Sequence, residues 1–284
     1  MKPRFFAWLI GCVAGAVTSF GALAAGPFWE EFPELHSASY MVVHERTGAV
    51  LFEQNATQAV PIASITKLMT AMVVLDANQR LSERITVTDG DIDHLKKTRS
   101  RLAIGATLTR EEMLHIMLMS SENRAASALA RNYPGGAKAF IQAMNIKARM
   151  LGLTHTRFAD SSGLNPGNVS SPSDLARLVS VAATYPLIRN FSTSPERYVK
   201  VGGKTLHYRN SNSLVREGEW RLGLSKTGYI REAGRCLVMQ TWVGDEPVVM
   251  VLLNASDTWA RTTDARHVKE RIASVDPAVM AFLQ

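Results

Sequence analysis

Strand-like segments gather at both ends of this chain, and helix-like segments fill its middle. Residues 39–43 and 49–53 read as two strands joined by a tight turn at Arg46-Thr47-Gly48. Strand signals return only late: 198–201 and 204–208 around Gly202-Gly203, then 224–228, 235–243 and 248–254. Between the two groups, 61–78 carries Ile65, Leu68, Met69, Met72, Val73 and Leu75 close to helical spacing. Thr109 and Glu112 form a capping box that opens a helix to Met119. Ser120-Ser121-Glu122-Asn123 breaks it, 124–132 resumes it, and 138–151 forms another that stops at Gly152. Ser171 caps one more, with Pro172 in its first turn, and Asp257 caps a closing helix to about Ile272. Residues 82–105 are polar and irregular, with short strands. This order predicts an α/β fold of the α+β kind: an antiparallel sheet drawn from both termini, a helical second lobe and a cleft between them.

Three short patterns fall on these elements in a fixed order: Ser64-x-x-Lys67, Ser121-x-Asn123 and Lys226-Thr227-Gly228. A lone Ser-x-x-Lys carries little weight, because ordinary composition yields about one in a chain of this size. The order and context of all three carry much more. Ser64 is expected in the first turn of the 61–78 helix, where Lys67 shares its face. A serine hydroxyl is a weak nucleophile until a neighbouring base takes its proton. Lysine becomes that base when burial and a nearby positive charge lower its pKa, and Lys226 is the expected charge. Ser121, at the helix break, is the expected proton relay between Lys67 and a leaving amine. Asn123 offers its carboxamide to a substrate amide. Lys226 and Thr227 suit a carboxylate, and Gly228 lets an extended peptide lie beside the strand. The backbone N–H groups of Ser64 and Tyr229 are the expected oxyanion hole.

The first residues have a different character. Lys2 and Arg4 precede an uncharged apolar run that ends at Ala22-Leu23-Ala24, which reads as a signal peptide over 1–24. Leu9-Ile10-Gly11-Cys12 has the form of a lipoprotein box, but apolar sequence continues well past Cys12. A linker over 25–37, one domain over 38–273 and a short tail over 274–284 complete the division. Export leaves Cys236 as the only cysteine, so no internal disulfide is possible; its apolar setting marks a buried side chain. The formal charge of +7 falls to +5 without Lys2 and Arg4 and favours an anionic partner. An exported chain without an aromatic platform is a poor nucleic-acid binder, so a cell-wall polymer or the membrane surface fits better, and the charge alone does not choose between them. His115 reads as a satisfied core histidine and Met113, Met117 and Met119 as core filler. No spacing suggests a metal site, and no cofactor is expected.

The run from Pro61 to Met72 (Pro-Ile-Ala-Ser-Ile-Thr-Lys-Leu-Met-Thr-Ala-Met), that from Met119 to Ala126 (Met-Ser-Ser-Glu-Asn-Arg-Ala-Ala), and Tyr133-Pro134-Gly135-Gly136 resemble the low-molecular-weight penicillin-binding proteins. These are the D-alanyl-D-alanine carboxypeptidase and endopeptidase group of serine peptidases. The resemblance runs from about Ser39 to Arg271. It implies a five-stranded antiparallel sheet flanked by helices, with an all-helical lobe, as in β-lactamases and transpeptidases. It implies Ser64 as acyl-enzyme nucleophile, Lys67 as proton acceptor, Ser121 as third catalytic residue and Lys226 on the substrate carboxylate. Peptidoglycan stem peptides become the expected substrate, β-lactams covalent inhibitors and the periplasm the location. Glu122 and Arg124 match the endopeptidases rather than the carboxypeptidases, which makes carboxypeptidase the alternative activity. The chain ends at Gln284 without the β-domain and amphipathic anchor of the carboxypeptidases, so no firm membrane anchor is expected. Where class A β-lactamases carry a glutamate in E-x-x-L-N, this chain has Ser161, which argues against β-lactamase activity. The intact motifs argue against a non-catalytic wall-binding protein.

Overall fold

The computed structural model describes residues 34–274. The expected signal peptide, Cys12, most of the linker and nearly all of the tail lie outside the described residues. The chain enters through β1 (Ser39–His44) and β2 (Val50–Gln54), then β3 (Val60–Pro61). A 3-10 turn at Ala63–Ile65 leads into α1 (Thr66–Asp76). The short strands β4 (Arg84–Thr86) and β5 (Thr107–Thr109) pair with each other. Then come α2 (Arg110–Met119), α3 (Asn123–Arg131) and α4 (Gly136–Met150). After β6 (Val169–Ser170), which pairs with β3, follow α5 (Pro172–Ala182) and α6 (Pro186–Thr193). The hairpin β7 (Glu196–Val201) and β8 (Lys204–Arg209) leads to α7 (Ser213–Glu217). The chain closes with β9 (Leu222–Ile230), β10 (Gly234–Val243), β11 (Glu246–Ala255) and α8 (Thr258–Ala273).

The main sheet has five antiparallel strands in the order β2-β1-β11-β10-β9. Both termini build it, as the order of strand signals predicts. Cys236 to Thr241 of β10 and Val248 to Leu253 of β11 are continuously buried. Such strands need cover on both faces, which is why their sequences are largely apolar rather than alternating, with Gln240 and Thr241 the buried polar exceptions. Both α5 and α8 pack on them. The buried Asp264 of α8 ties in the incoming chain, accepting from the Ser37 hydroxyl at 2.6 Å and the His36 N–H at 2.9 Å.

Two differences from expectation bear on the site. The helix expected over 61–78 begins only at Thr66, because Val60 and Pro61 pair with β6 and Ala63–Ile65 makes a 3-10 turn. Ser64 therefore sits on the turn before the helix. The short helices α6 and α7 give no signal strong enough to read, yet α6 packs against β9 and helps set that strand's position. His115 is buried and stacked on Phe191, but only Nδ1 has a partner, Arg197; Nε2 has none among the described residues.

Candidate active site

The Ser64 turn is held from several sides. Ala63 has φ 47°, left-handed backbone that costs a residue with a β-carbon about 1–3 kcal/mol. The Ala63 carbonyl accepts from the Thr66 hydroxyl at 2.8 Å, and the Ile62 N–H donates to the Asn168 carbonyl at 3.1 Å. Gly163 lies so close behind that a β-carbon there would sit 1.9 Å from the Ala63 carbonyl oxygen. In front runs β9, where a β-carbon on Gly228 would lie 3.1 Å from the Ser64 nitrogen. Glycine is thus needed at Gly163 for backbone to approach backbone, while at Gly228 a β-carbon would crowd the turn without forbidding it.

Lys67, fully buried on the first turn of α1, directs its Nζ at three oxygens. These are Ser64 Oγ at 2.9 Å, Asn123 Oδ1 at 2.7 Å and the Ser162 carbonyl at 2.5 Å. The carbonyl and carboxamide oxygens can only accept. A neutral lysine gives them its two hydrogens and turns its lone pair to the Ser64 hydroxyl. Burial lowers Lys67 from 10.5 to about 7, against the opposing pull of Asp160 and Glu122. Of the two expected causes, burial acts and the charge on Lys226 does not appear. Lys226 is itself held well below its ordinary value, by burial first and then by the charges of Lys67 and Arg261.

The orientation of Asn123 follows from its far end. Asp93 accepts from the N–H groups of Leu95, Lys96 and Thr98 and from the Thr98 hydroxyl at 2.8 Å. Burial pushes the Asp93 carboxyl up, but these bonds outweigh it and hold the group below its ordinary value. The Thr98 hydroxyl must donate to this carboxylate, so it accepts from Asn123 Nδ2 at 3.1 Å, and Asn123 Oδ1 faces Lys67. Asn123 Nδ2 keeps its second hydrogen for another acceptor. On the opposite side, Asp160 organises residues 160–165 by accepting from the N–H groups of Ser162, Gly163 and Asn165 at 2.6–2.8 Å. That loop delivers the Ser162 carbonyl to Lys67. Neither Asp93 nor Asp160 stands out in the sequence, where only Asp-x-x-Gly at 160–163 hints at a turn.

Ser121 lies between α2 and α3 with φ 63°, a second strained residue without glycine's freedom. Glu122 caps α3, accepting from the Arg124 N–H at 3.1 Å, and Arg124 reaches the Leu102 carbonyl. The break aims Ser121 into the cleft, as expected, but its hydroxyl is bonded to Lys226 Nζ at 3.0 Å and not to Lys67. Lys226 also donates to the Thr227 carbonyl at 2.9 Å, and the Thr227 hydroxyl donates to Ser211 Oγ at 2.7 Å. β9 is the edge strand of the sheet, and the Thr227 carbonyl faces the cleft. Two residues on, strand periodicity turns the Tyr229 N–H to the same edge.

A cleft of about 330 Å³ joins these groups, lined by Ser64, Ser121, Asn123, Thr227, Gly228 and Tyr229. It also meets Arg261, at the start of α8, which the motifs do not mark. Arg261 donates to the Cys236 carbonyl at 3.1 Å, while its Nε has no partner among the described residues. Burial draws it down to about 10, so it stays cationic at neutral pH. Ser161, in the place of a β-lactamase glutamate, is buried and donates to the Ala126 carbonyl at 3.1 Å.

A serine hydroxyl on a lysine, two further hydroxyls and cations at the end of the cleft define a serine acyl-transfer site. In agreement, the profile of the D-alanyl-D-alanine carboxypeptidase family matches residues 27–257, and the chain belongs to that family of serine peptidases. A D-alanyl-D-alanine endopeptidase of Pseudomonas aeruginosa is 44% identical over 256 residues, covering 88% of this chain and 83% of that protein. Another, from Escherichia coli, is 43% identical over 239 residues, covering 84% and 77%. Among solved structures, the Streptomyces K15 DD-transpeptidase superposes with a TM-score of 0.80 at 27% identity, covering 86% of this chain and 100% of that one.

Proposed function

We propose that this protein is a serine DD-endopeptidase that hydrolyses D-alanyl cross-links between peptidoglycan stem peptides through an acyl-enzyme on Ser64. The observation that carries the chemistry is the 2.9 Å bond between Ser64 Oγ and a buried Lys67 lowered to about 7. The choice of endopeptidase over carboxypeptidase rests on the two relatives above 40% identity that bear that name.

In this reading Lys67 takes the Ser64 proton as Oγ attacks the D-alanyl carbonyl. The N–H groups of Ser64 and Tyr229 receive the oxyanion. Lys226, Thr227 and Arg261 hold the carboxylate beside the scissile bond, and its charge raises the pKa of Lys226. Ser121 gives its hydroxyl proton to the leaving amine and draws another from the Lys226 ammonium to which it is bonded; in the hydrolytic step the proton of the attacking water returns by the same route to Lys226, while Lys67 gives its proton back to Ser64. Asn123 orients Lys67 and binds the acyl side through its Nδ2. Water then releases the acyl group and returns Ser64. Penicillin acylates Ser64 and leaves slowly, since no carboxylate stands at Ser161 to activate water. The protein works in the periplasm after removal of 1–24. Among the described residues no helix is long and apolar enough to cross a membrane.

Purified mature protein, incubated with cross-linked muropeptide dimers and with monomeric pentapeptide, tests the reading. Dimer cleavage without loss of terminal D-alanine supports it. Alanine release from the monomer alone overturns it in favour of the carboxypeptidase. Ser64→Ala is expected to lower activity by at least about 10⁴-fold while keeping the fold.

A further inference from the structure

A second pocket adjoins the cleft and shares Ser121 with it. It is the larger of the two, about 500 Å³. Its wall combines Arg99 and Arg101 from the irregular stretch before β5 with Arg209 at the end of β8. Tyr208 and Glu122 are its buried residues. Two stretches distant in sequence thus bring three guanidinium groups to one concavity beside a site serine.

The pocket's charge is not used by the protein itself. Neither Arg99 nor Arg209 has an ion-pair partner among the described residues. Arg101 donates to the His207 carbonyl and lies over the Tyr208 ring, 5.5 Å from its centroid, but meets no carboxylate. The single acidic group, Glu122, leaves the lining with a net charge of about +2 by ordinary side-chain ionisation. The Tyr208 hydroxyl is buried with no partner among the described residues. Burial, with the Glu122 charge next, raises it well above 10, so it remains a donor at neutral pH. Arginine forks suit planar oxyanions in pairs of hydrogen bonds. Unpaired arginines around a concave wall at the rim of a peptide-binding cleft suit a ligand that supplies the missing anion.

We propose that this pocket is a subsite for a carboxylate on the peptide substrate other than the one next to the scissile bond, held by Arg99 and Arg209. The inference rests on the peptidase reading and deepens it: the enzyme selects acidic peptides over their amidated forms. The cleft on the Lys226 side takes one carboxylate, and the arginine pocket, on the far side of Ser121, takes a second. Arg99 and Arg209 are exposed and touch none of the reacting groups, so both can be replaced without disturbing Ser64 or Lys67.

The test uses two cross-linked peptide dimers, both with a free carboxylate beside the scissile bond and identical except that the remaining stem carboxylates are free in one and amidated in the other. Calorimetric binding to the full mature chain carrying Ser64→Ala reads the subsite without turnover. Binding of the free acid is expected to be about tenfold tighter than that of the amide, and Arg99→Ala with Arg209→Ala is expected to erase the difference. The same pair of substitutions on the active protein should raise KM for the free acid about tenfold. It should leave kcat, amide cleavage and the rate of penicillin acylation unchanged. Equal affinity for acid and amide, or a preference that survives the double substitution, overturns the subsite. Failure of the active protein to cleave either dimer overturns the endopeptidase reading instead, while the binding comparison still decides the subsite.

Discussion

The two walls of the cleft are built in opposite ways. One is β9, an edge strand with regular backbone that presents Lys226, Thr227 and an outward row of N–H and C=O groups. The other is a set of interruptions: the 3-10 turn at Ser64, the helix break at Ser121 and the loop at 160–165. The regular wall takes its shape from ladder hydrogen bonds to β10, which follow from the pleat. The interrupted wall departs from low-energy backbone at Ala63 and Ser121 and is held there by side chains such as Thr66 and Asp160. A strand suits the binding of extended peptide along its edge. Converging groups from three segments on the one Lys67 amine needs breaks in regular structure, and those breaks cost stability.

Replacing Ser121 by glycine tests that contrast with the largest effect. Turnover should fall about 10²–10³-fold, as expected when a proton-transfer group is lost. Stability should hold within about 1 kcal/mol in urea, because glycine accepts φ 63° freely. A large loss of stability would mean that the Ser121 hydroxyl mainly holds the fold. Next come the two glycines that clasp the Ser64 turn. Gly163→Ala sets a β-carbon 1.9 Å from the Ala63 carbonyl oxygen at φ 83° and should cost about 3 kcal/mol or more by denaturant titration. Gly228→Ala meets its neighbours at 3.0–3.1 Å on regular strand backbone. It should cost only about 1 kcal/mol but slow penicillin acylation about tenfold, because the added methyl crowds the Ser64 nitrogen. Equal destabilisation by the two alanines would erase the distinction between the walls.

The pH dependence gives the smallest and sharpest comparison, between the two lysines. Lys67 accepts a proton only when neutral, so acylation should rise through an apparent pKa near 7 and level off above it. Below that point the rate should fall about tenfold per pH unit, as for loss of a single base. Burial is the first cause of the lowering, so Lys226→Gln should leave this limb within about half a unit while raising KM for the carboxylate-bearing substrate. A limb that moves towards 10 in Lys226→Gln would restore the Lys226 charge as the cause.

Much of the regular wall is legible in the chain. Apolar runs mark β10 and β11, and the Lys-Thr-Gly triplet falls on β9. On the other wall, capping chemistry locates the starts of α2 and α5, and the Ser-Ser-Glu-Asn break locates Ser121. The 3-10 turn at Ser64 was hidden, because Pro61 to Met72 keeps helical spacing while its first residues pair with β6. Arg261 was hidden for a different reason: it sits in the first turn of a polar helix, where an arginine is ordinary. The basic residues at 96–101 read only as polar loop until β8 is brought alongside.

Local patterning by itself determined which groups are proposed to react, because a serine and a lysine one helical turn apart, and a strand bearing Lys-Thr-Gly, are short-range arrangements. It also determined the sheet built from both termini, through the order of periodicities along the chain. Only the tertiary structure decided how those groups are tuned. Lys67 is lowered to about 7 because packing buries it, and in its neutral form its lone pair faces Ser64 because Ser162 and Asn123, 95 and 56 residues away in sequence, take its hydrogens. Ser121 binds Lys226 across 105 residues, and the arginine pocket forms where two separate stretches meet. Desolvation and hydrogen-bond direction depend on everything that surrounds a group, and no window of sequence contains those surroundings.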